Sequence, residues 1–244
     1  LSADVRDLGR TYVTRLSVVG EIIASLKALL PYLSEATNGN RNAYAMLLQK
    51  AWEKRAAQRR SFSDMADAEM DRPVTTPLVA ARETARAIGP DVAIVDEAVA
   101  TSNHVRKFLN SPSPNQYSFV RGGGLGWGMP AAVGCSLGLG REPVVCLVGD
   151  GAAMYSPQAL WTAAHEKLPV TFVVMNNREY NVLKNFMRAQ AGYVAAKTNR
   201  FIAMDIQQPA IDYPSLARAM GLPARRVERA ADIAPAIEAG IASG

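Results

Sequence analysis

Two cysteines and two histidines are all that the 244 residues hold of the side chains that most often bind transition metals or serve as nucleophile and base. Cys135 and Cys146 lie in AAVGCSLG and PVVCLVGD, without CxxC spacing and with no histidine nearby. They read as small core residues, which argues against a disulfide framework or a zinc site. No apolar run reaches the ~18 residues that a membrane helix needs. The opening LSADVRDLGR has no signal-peptide architecture. A soluble, cytoplasmic protein with no membrane partner is therefore expected. Charge of one sign is not concentrated either, since 27 basic and 22 acidic residues leave a net charge of only +5. The densest basic group, Lys54 to Arg60, falls in a segment of helical character, and a solvated helix face explains it better than contact with phosphates. No nucleic-acid partner is expected.

What is present is ordinary for a folded domain: 49% hydrophobic and 20% charged residues supply a sizeable core. From Arg15 to Leu33 the apolar residues Leu16, Val19, Ile22, Ile23, Leu26, Leu29 and Leu30 recur at helical spacing. The polar EATNGNRN at 35 to 42 interrupts, and residues 43 to 62 resume as a charged helix with a thin apolar stripe. Arg72-Pro73 and Pro77 punctuate again, and the domain boundary is placed there.

Beyond Pro77 the pattern changes to short β-branched runs alternating with helical segments. Helices are expected over 78–88, 101–109 and 156–166, and strands over 92–95, 144–148 and 170–175. A glycine-rich stretch that turns helical covers 122–139. Such alternation predicts an α/β fold, a doubly wound parallel sheet covered on both faces. In such sheets ligands bind beyond the carboxyl ends of the strands. Two loops fall there: Gly149-Asp150-Gly151 and Asn176-Asn177.

Asp150 follows the apolar VVCLV directly and is flanked by glycines, which let the backbone approach a ligand closely. Between Gly151 and Asn176 lie 24 residues, the content of one helix-and-strand crossover, so Asp150 and Asn177 are expected at the same edge of adjacent strands. A carboxylate and an amide oxygen converging there suit a hard cation such as Mg²⁺ or Ca²⁺, completed by phosphate, backbone oxygen and water.

The stretch GDGAAMYSPQALWTAAHEKLPVTFVVMNN, from Gly149 to Asn177, resembles the signature of the thiamine-diphosphate-dependent enzymes, which opens on GDG and closes on NN. The likeness extends over residues 77 to 222, and YSPQALWTAA is most similar to the benzoylformate decarboxylase group of 2-oxo-acid decarboxylases. The resemblance implies thiamine diphosphate and Mg²⁺ as cofactors, with Asp150 and Asn177 as side-chain ligands of the ion and Glu179 contributing its carbonyl. It implies that the amides of Gly151 and Ala152 meet a diphosphate oxygen, with Tyr180 either a further contact or simple packing. GGGLGWGMP at 122 to 130 corresponds to the part of the family that holds the aminopyrimidine ring. There Gly123 offers its carbonyl, and Leu125 is the wedge that keeps the cofactor bent. A dinucleotide fingerprint fits that stretch poorly, because Arg121 stands where a strand would have to run straight in. In VDEAVATS at 95 to 102, Val99 is the expected backbone contact of the diphosphate, whereas Glu97 reads as structural. Val182, Leu183 and Phe186 correspond to the helix that lines the substrate pocket, or they are core. His104 reads as a helix-face residue and His165 as a surface one, so no catalytic side chain is assigned within the chain.

In that family the glutamate that activates the cofactor comes from a separate N-terminal domain, usually of a neighbouring subunit. The resemblance therefore implies a homo-oligomer, dimer or tetramer, whose pyrimidine-binding domain from a neighbour completes the site. Residues 1–34 are expected to be the end of a central domain, 35–76 a helical linker, and 77–244 the diphosphate-and-Mg module, truncated at its C-terminus. The implied function is decarboxylation of a benzoylformate-like 2-oxo acid to an aldehyde and CO₂. An acetolactate-synthase-like carboligase, a non-catalytic thiamine-diphosphate-binding module and an unrelated nucleotide binder are the alternatives.

Overall fold

The computed structural model describes residues 1–109, 116–120 and 122–243. It divides into two compact units, Leu1–Gln58 and Arg59–Gly244.

The first unit opens with an isolated parallel bridge between Ser2 and Val19, in which the Ser2 N–H donates to Val18 and the Gly20 N–H to Ser2. That pairing keeps the residues before Gly20 out of the helix expected from Arg15, and α1 begins only at Ile22, running to Thr37. The Glu21 carboxylate caps it, accepting from the N–H groups of Ile23 and Ala24 at 2.9 and 2.6 Å, which satisfies donors that have no intrahelical partner. Helix α2 follows over Arg41–Asp67.

In the second unit, α3 (Pro77–Ile88) starts from Thr76 as N-cap with proline in its first turn, a position where the missing N–H costs nothing. Among the described residues four strands follow: β1 (Ala93–Glu97), β2 (Tyr117–Phe119), β3 (Val144–Gly149) and β4 (Val170–Met175). They form one all-parallel sheet in the order β2-β1-β3-β4. Helix α4 (Ser102–Phe108) joins β1 to the next strand, α5 (Gly128–Gly138) precedes β3, and α6 (Asp150–Ala153) and α7 (Gln158–His165) follow it. After β4 come α8 (Asn181–Arg188), α9 (Val194–Thr198), α10 (Tyr213–Ala219) and α11 (Ile233–Ser243).

The period of two in the buried strands sorts the core. Val144, Cys146 and Val148 pack with Met129, Ala132 and Val133 of α5 and with Ala159, Leu160 and Ala163 of α7. Val145 and Leu147 face the other way, toward Ala81 and Ala85 of α3, Val105 of α4 and Ile237 of α11. Burial of both faces is what lets β3 be apolar along its length and β1 be apolar up to Asp96. The expected doubly wound α/β arrangement is thus the observed one. Consecutive strands run parallel, so the turns that leave β1, β3 and β4 all open at one edge. No described helix is long and apolar enough to cross a membrane.

Candidate functional site

At that edge the β3 turn holds a buried carboxylate. Asp150 is 4% exposed, and its carboxylate accepts the N–H of Gly151 at 2.8 Å and, across the gap to β4, the N–H of Arg178 at 2.6 Å. Gly149 is paired with Met175, so the turns after the two strands start level. Burial pushes the Asp150 carboxyl above the ordinary range, and the backbone donors of Gly151 and Arg178 oppose it only in part. A cation beside this carboxylate would relieve the cost of holding its charge out of water.

The facing turn spans Asn176 to Tyr180. Arg178 takes a left-handed conformation, φ 58°, and two Asx-type bonds hold the turn: Asn176 Oδ1 accepts from Arg178 N–H and Asn177 Oδ1 from Glu179 N–H. Asn176 and Asn177 are both exposed. The segment at 204–206 doubles back onto this turn, with the N–H of Tyr180 donating to Met204 and that of Ile206 to Arg178. Asp150, Asn176, Arg178, Ile206, Ala210, Ile211 and Tyr213 line a shallow cleft. Tyr213 donates its hydroxyl to the Asp150 carbonyl at 2.7 Å. Tyr180 lies over Gly151, where an added Cβ would come within 2.6 Å of the ring. Ala152 is buried in α6, which is only four residues long.

The β1 turn runs alongside. Gly149 is close to the carbonyls of Glu97 and Ala98, 3.7 Å from the latter at its Cβ position. Val99 is left-handed at φ 48°, a conformation a β-branched residue adopts only under constraint. Glu97 is fully buried and is the anchor of the glycine-rich loop. It accepts the N–H groups of Gly126 (2.7 Å), Trp127 (3.3 Å) and Gly128 (2.6 Å). From the other side Ser156 donates its hydroxyl to the Gly126 carbonyl at 2.7 Å. Gly123 is left-handed at φ 74° and Leu125 is 45% exposed. Arg121 lies outside the described residues. Asp96, also buried, accepts from Ala98 N–H, Ser102 Oγ and Tyr117 OH. It ties β1, α4 and β2 together.

Asp150, Gly151, the Asn176–Tyr180 turn and the Val99 turn therefore form one edge, with Gly123 and Leu125 on a loop moored to Glu97. Val182, Leu183 and Phe186 project from α8 and stay exposed, outside the residues lining the Asp150 cleft. Phe186 meets Tyr193 edge to face. His104 lies in α4 with Nδ1 buried and unpartnered among the described residues, and burial holds its pKa down. His165 ends α7, stacked on Trp161. Sequence reading missed Tyr213, Lys184 and the 204–206 segment. They touch the edge from more than 25 residues beyond the GDG turn, and no motif spacing links them to it.

Residues 98–244 match the family model described as thiamine pyrophosphate enzyme, C-terminal TPP binding domain. The chain is 31% identical over 153 residues to a benzoylformate decarboxylase of Pseudomonas aeruginosa, covering 63% of this chain and 28% of that protein. It is 32% identical over 136 residues to the chloroplastic acetolactate synthase of Arabidopsis thaliana, covering 54% and 20%. Among solved structures, the thiamine diphosphate-dependent 4-hydroxybenzoylformate decarboxylase of Rhodococcus jostii RHA1 superposes with a TM-score of 0.62 at 31% identity, over 70% of this chain and 31% of that one. The chain thus spans about a third or less of the length of these relatives.

Proposed function

Because the chain belongs to the thiamine pyrophosphate enzymes, whose C-terminal cofactor-binding domain it carries over residues 98–244, we propose that its β3–β4 edge grips the diphosphate of thiamine diphosphate through one Mg²⁺. The observation that carries the reading is the buried Asp150 carboxylate turned toward the Asn176–Glu179 turn. The donor set fits such an ion: a carboxylate, an amide oxygen from Asn177 and the carbonyl of Glu179 are all hard oxygens. One carboxylate leaves a divalent ion with net positive charge, which a diphosphate completes. The amides of Gly151 and Ala152 and the backbone of Val99 serve the same anion, and Tyr180 closes over Gly151.

The glycine-rich loop has the complementary task. Gly123 offers a carbonyl to the aminopyrimidine and Leu125 supports the bend of the cofactor, while Glu97 holds the loop in register with the β1 turn. When bound, the cofactor supplies the nucleophilic carbon that adds to a 2-oxo group and takes up the electrons left as CO₂ departs. The chain's own residues bind, orient and keep the charged tail dry. Val182, Leu183 and Phe186 offer an apolar wall suited to an aryl or branched 2-oxo acid. The parent activity we favour is decarboxylation of a benzoylformate-like acid to an aldehyde and CO₂, in a cytoplasmic homo-oligomer whose neighbouring subunit completes the site. The domain division at residues 34 and 76 belongs to the same reading. A carboligase of the acetolactate-synthase type is the second reading, favoured by the Arabidopsis relative. Product analysis on the full-length protein separates them, since only the second joins two carbon skeletons.

The test is calorimetric titration of the chain with thiamine diphosphate, with and without Mg²⁺. Wild type should bind only with the ion present. Asp150→Ala, which removes the one charged ligand, should lose about two orders of magnitude or more in affinity, on the order of 3 kcal/mol. Wild-type affinity in that variant would overturn the assignment.

A further inference from the structure

Helix α8 is turned inside out. Its apolar Val182, Leu183 and Phe186 are exposed, and its one buried residue is a lysine, Lys184, at 6% exposure. The Lys184 ammonium lies 2.5 Å from Glu179 Oε2 and 2.6 Å from Asp205 Oδ1, so both carboxylates touch one cationic centre. Glu179 and Asp205 are themselves paired across an isolated antiparallel bridge, flanked by the bonds of Tyr180 N–H to Met204 and Ile206 N–H to Arg178. Two oxygens meeting a common centre at these distances have the spacing that a divalent ion spans, since Ca²⁺ and Mg²⁺ take oxygens at about 2.0–2.6 Å.

We infer that Lys184 is a positioning residue of the cation-binding turn: its ammonium is a tethered ion that fills the gap between Glu179 and Asp205. The side chain of Glu179 is thereby held on Lys184, and of Glu179 only the main-chain oxygen remains for the bound ion. The role of the turn rests on the function proposed above, but the gap between the two carboxylates exists whether or not thiamine diphosphate binds. Removing the ammonium leaves two adjacent carboxylates uncompensated on a held turn, and a soluble divalent ion replaces it. Both carboxylates remain partly exposed, so an ion can reach them.

The experiment counts Mn²⁺ bound per chain by electron paramagnetic resonance, with and without thiamine diphosphate. Lys184→Met should bind one more Mn²⁺ than wild type under both conditions. Lys184→Arg should keep the wild-type count, and Lys184→Met combined with Asp205→Asn should return to it. A purely structural lysine would lower the melting temperature without adding an ion. A folded Lys184→Met with the wild-type count overturns the inference. Should that variant fail to fold, Asp205→Asn, at a half-exposed site, decides by hydrogen exchange. The amides of Tyr180 and Ile206 should exchange about tenfold faster than in wild type, and unchanged rates refute the clamp. Failure of wild type to bind thiamine diphosphate would instead refute the proposed function, leaving the Mn²⁺ count of Lys184→Met to decide this point.

Discussion

Glu97→Gln changes one atom and should destabilise the chain. The side chain is fully buried and accepts three backbone N–H groups, two on Oε1 and one on Oε2. A glutamine can keep its oxygen toward Gly126 and Trp127, and its NH₂ then faces the N–H of Gly128 where 2.6 Å separated acceptor and donor. Two donors opposed at that distance must separate, leaving the Gly128 N–H without a partner in a site that water cannot reach. A buried unsatisfied donor costs about 1–3 kcal/mol. Losing a negative charge at the first residue of α5 adds about 0.3–1 kcal/mol. The expected loss is therefore about 1–4 kcal/mol, against a total stability of about 5–15 kcal/mol for a natural domain. Urea unfolding followed by circular dichroism should show the midpoint falling by about 0.5–2 M at an unchanged slope. Glu142→Gln, at an exposed carboxylate, is the matched control and should fall within about 0.5 kcal/mol of wild type. A loss at Glu97 no larger than that of the control would mean that the glycine-rich loop is not moored by this side chain.

Two further outcomes follow from the same geometry. Leu125 is 45% exposed, so Leu125→Ala should leave the fold and the affinity for inorganic diphosphate unchanged. Affinity for whole thiamine diphosphate should fall by up to about 2 kcal/mol, on the order of thirtyfold, for three carbons no longer buried; equal losses for the two ligands would remove Leu125 from the ring site. The raised Asp150 carboxyl gives a signed pH dependence. With its folded pKa above the unfolded one, the group favours folding at low pH and loses that contribution as pH rises through the folded value. In the absence of Mg²⁺, the stability of wild type relative to Asp150→Ala should shrink as pH rises above the ordinary carboxylate range, read from thermal melts. Affinity for Mg²⁺ should move oppositely and weaken on acidification, because the proton competes with the ion. A stability gap that widens with pH would contradict the dominance of burial at Asp150.

The elements most legible in the sequence are those whose pattern is set by burial on both sides. VVCLV and VTFVVM carry apolar runs, broken only by Thr171, because α3, α4 and α11 cover one face of the sheet and α5 and α7 the other, and β3 and β4 fall where those runs predict. The helix expected from Arg15 begins later, since its first turn would need the backbone groups that Gly20 and Val18 give to Ser2. Strand β2, only three residues long, is too short to show a period, and its place beside β1 depends on Asp96 receiving the Tyr117 hydroxyl. The GDG and NN turns are visible because Gly151 has no room for a Cβ beneath Tyr180 and because Asn176 and Asn177 each accept the N–H two residues on. Lys184 and Tyr213 were not, since a lysine on an amphipathic helix looks solvated until the two carboxylates that draw it inward are placed in space.

The inversion of α8 also bears on where substrate meets the chain. A helix that turns its lysine inward and Val182, Leu183 and Phe186 outward forgoes burial of three large side chains, each worth about 1.5–3 kcal/mol when fully covered. The chain recovers part of this through the ion pairs of Lys184, but such pairs rarely outweigh the desolvation of a charge. In a protein of marginal stability that arrangement persists when the exposed face gains its cover from something else. On the proposed reading, the 2-oxo acid and a neighbouring subunit supply the cover, and the same helix that fixes the cation turn through Lys184 then presents the apolar wall. Crosslinking of Phe186→Cys to a second chain, or its protection from a maleimide by added benzoylformate in the full-length protein, should be seen. A thiol at that position that reacts equally fast with and without ligand and partner would sever the link between α8 and the substrate.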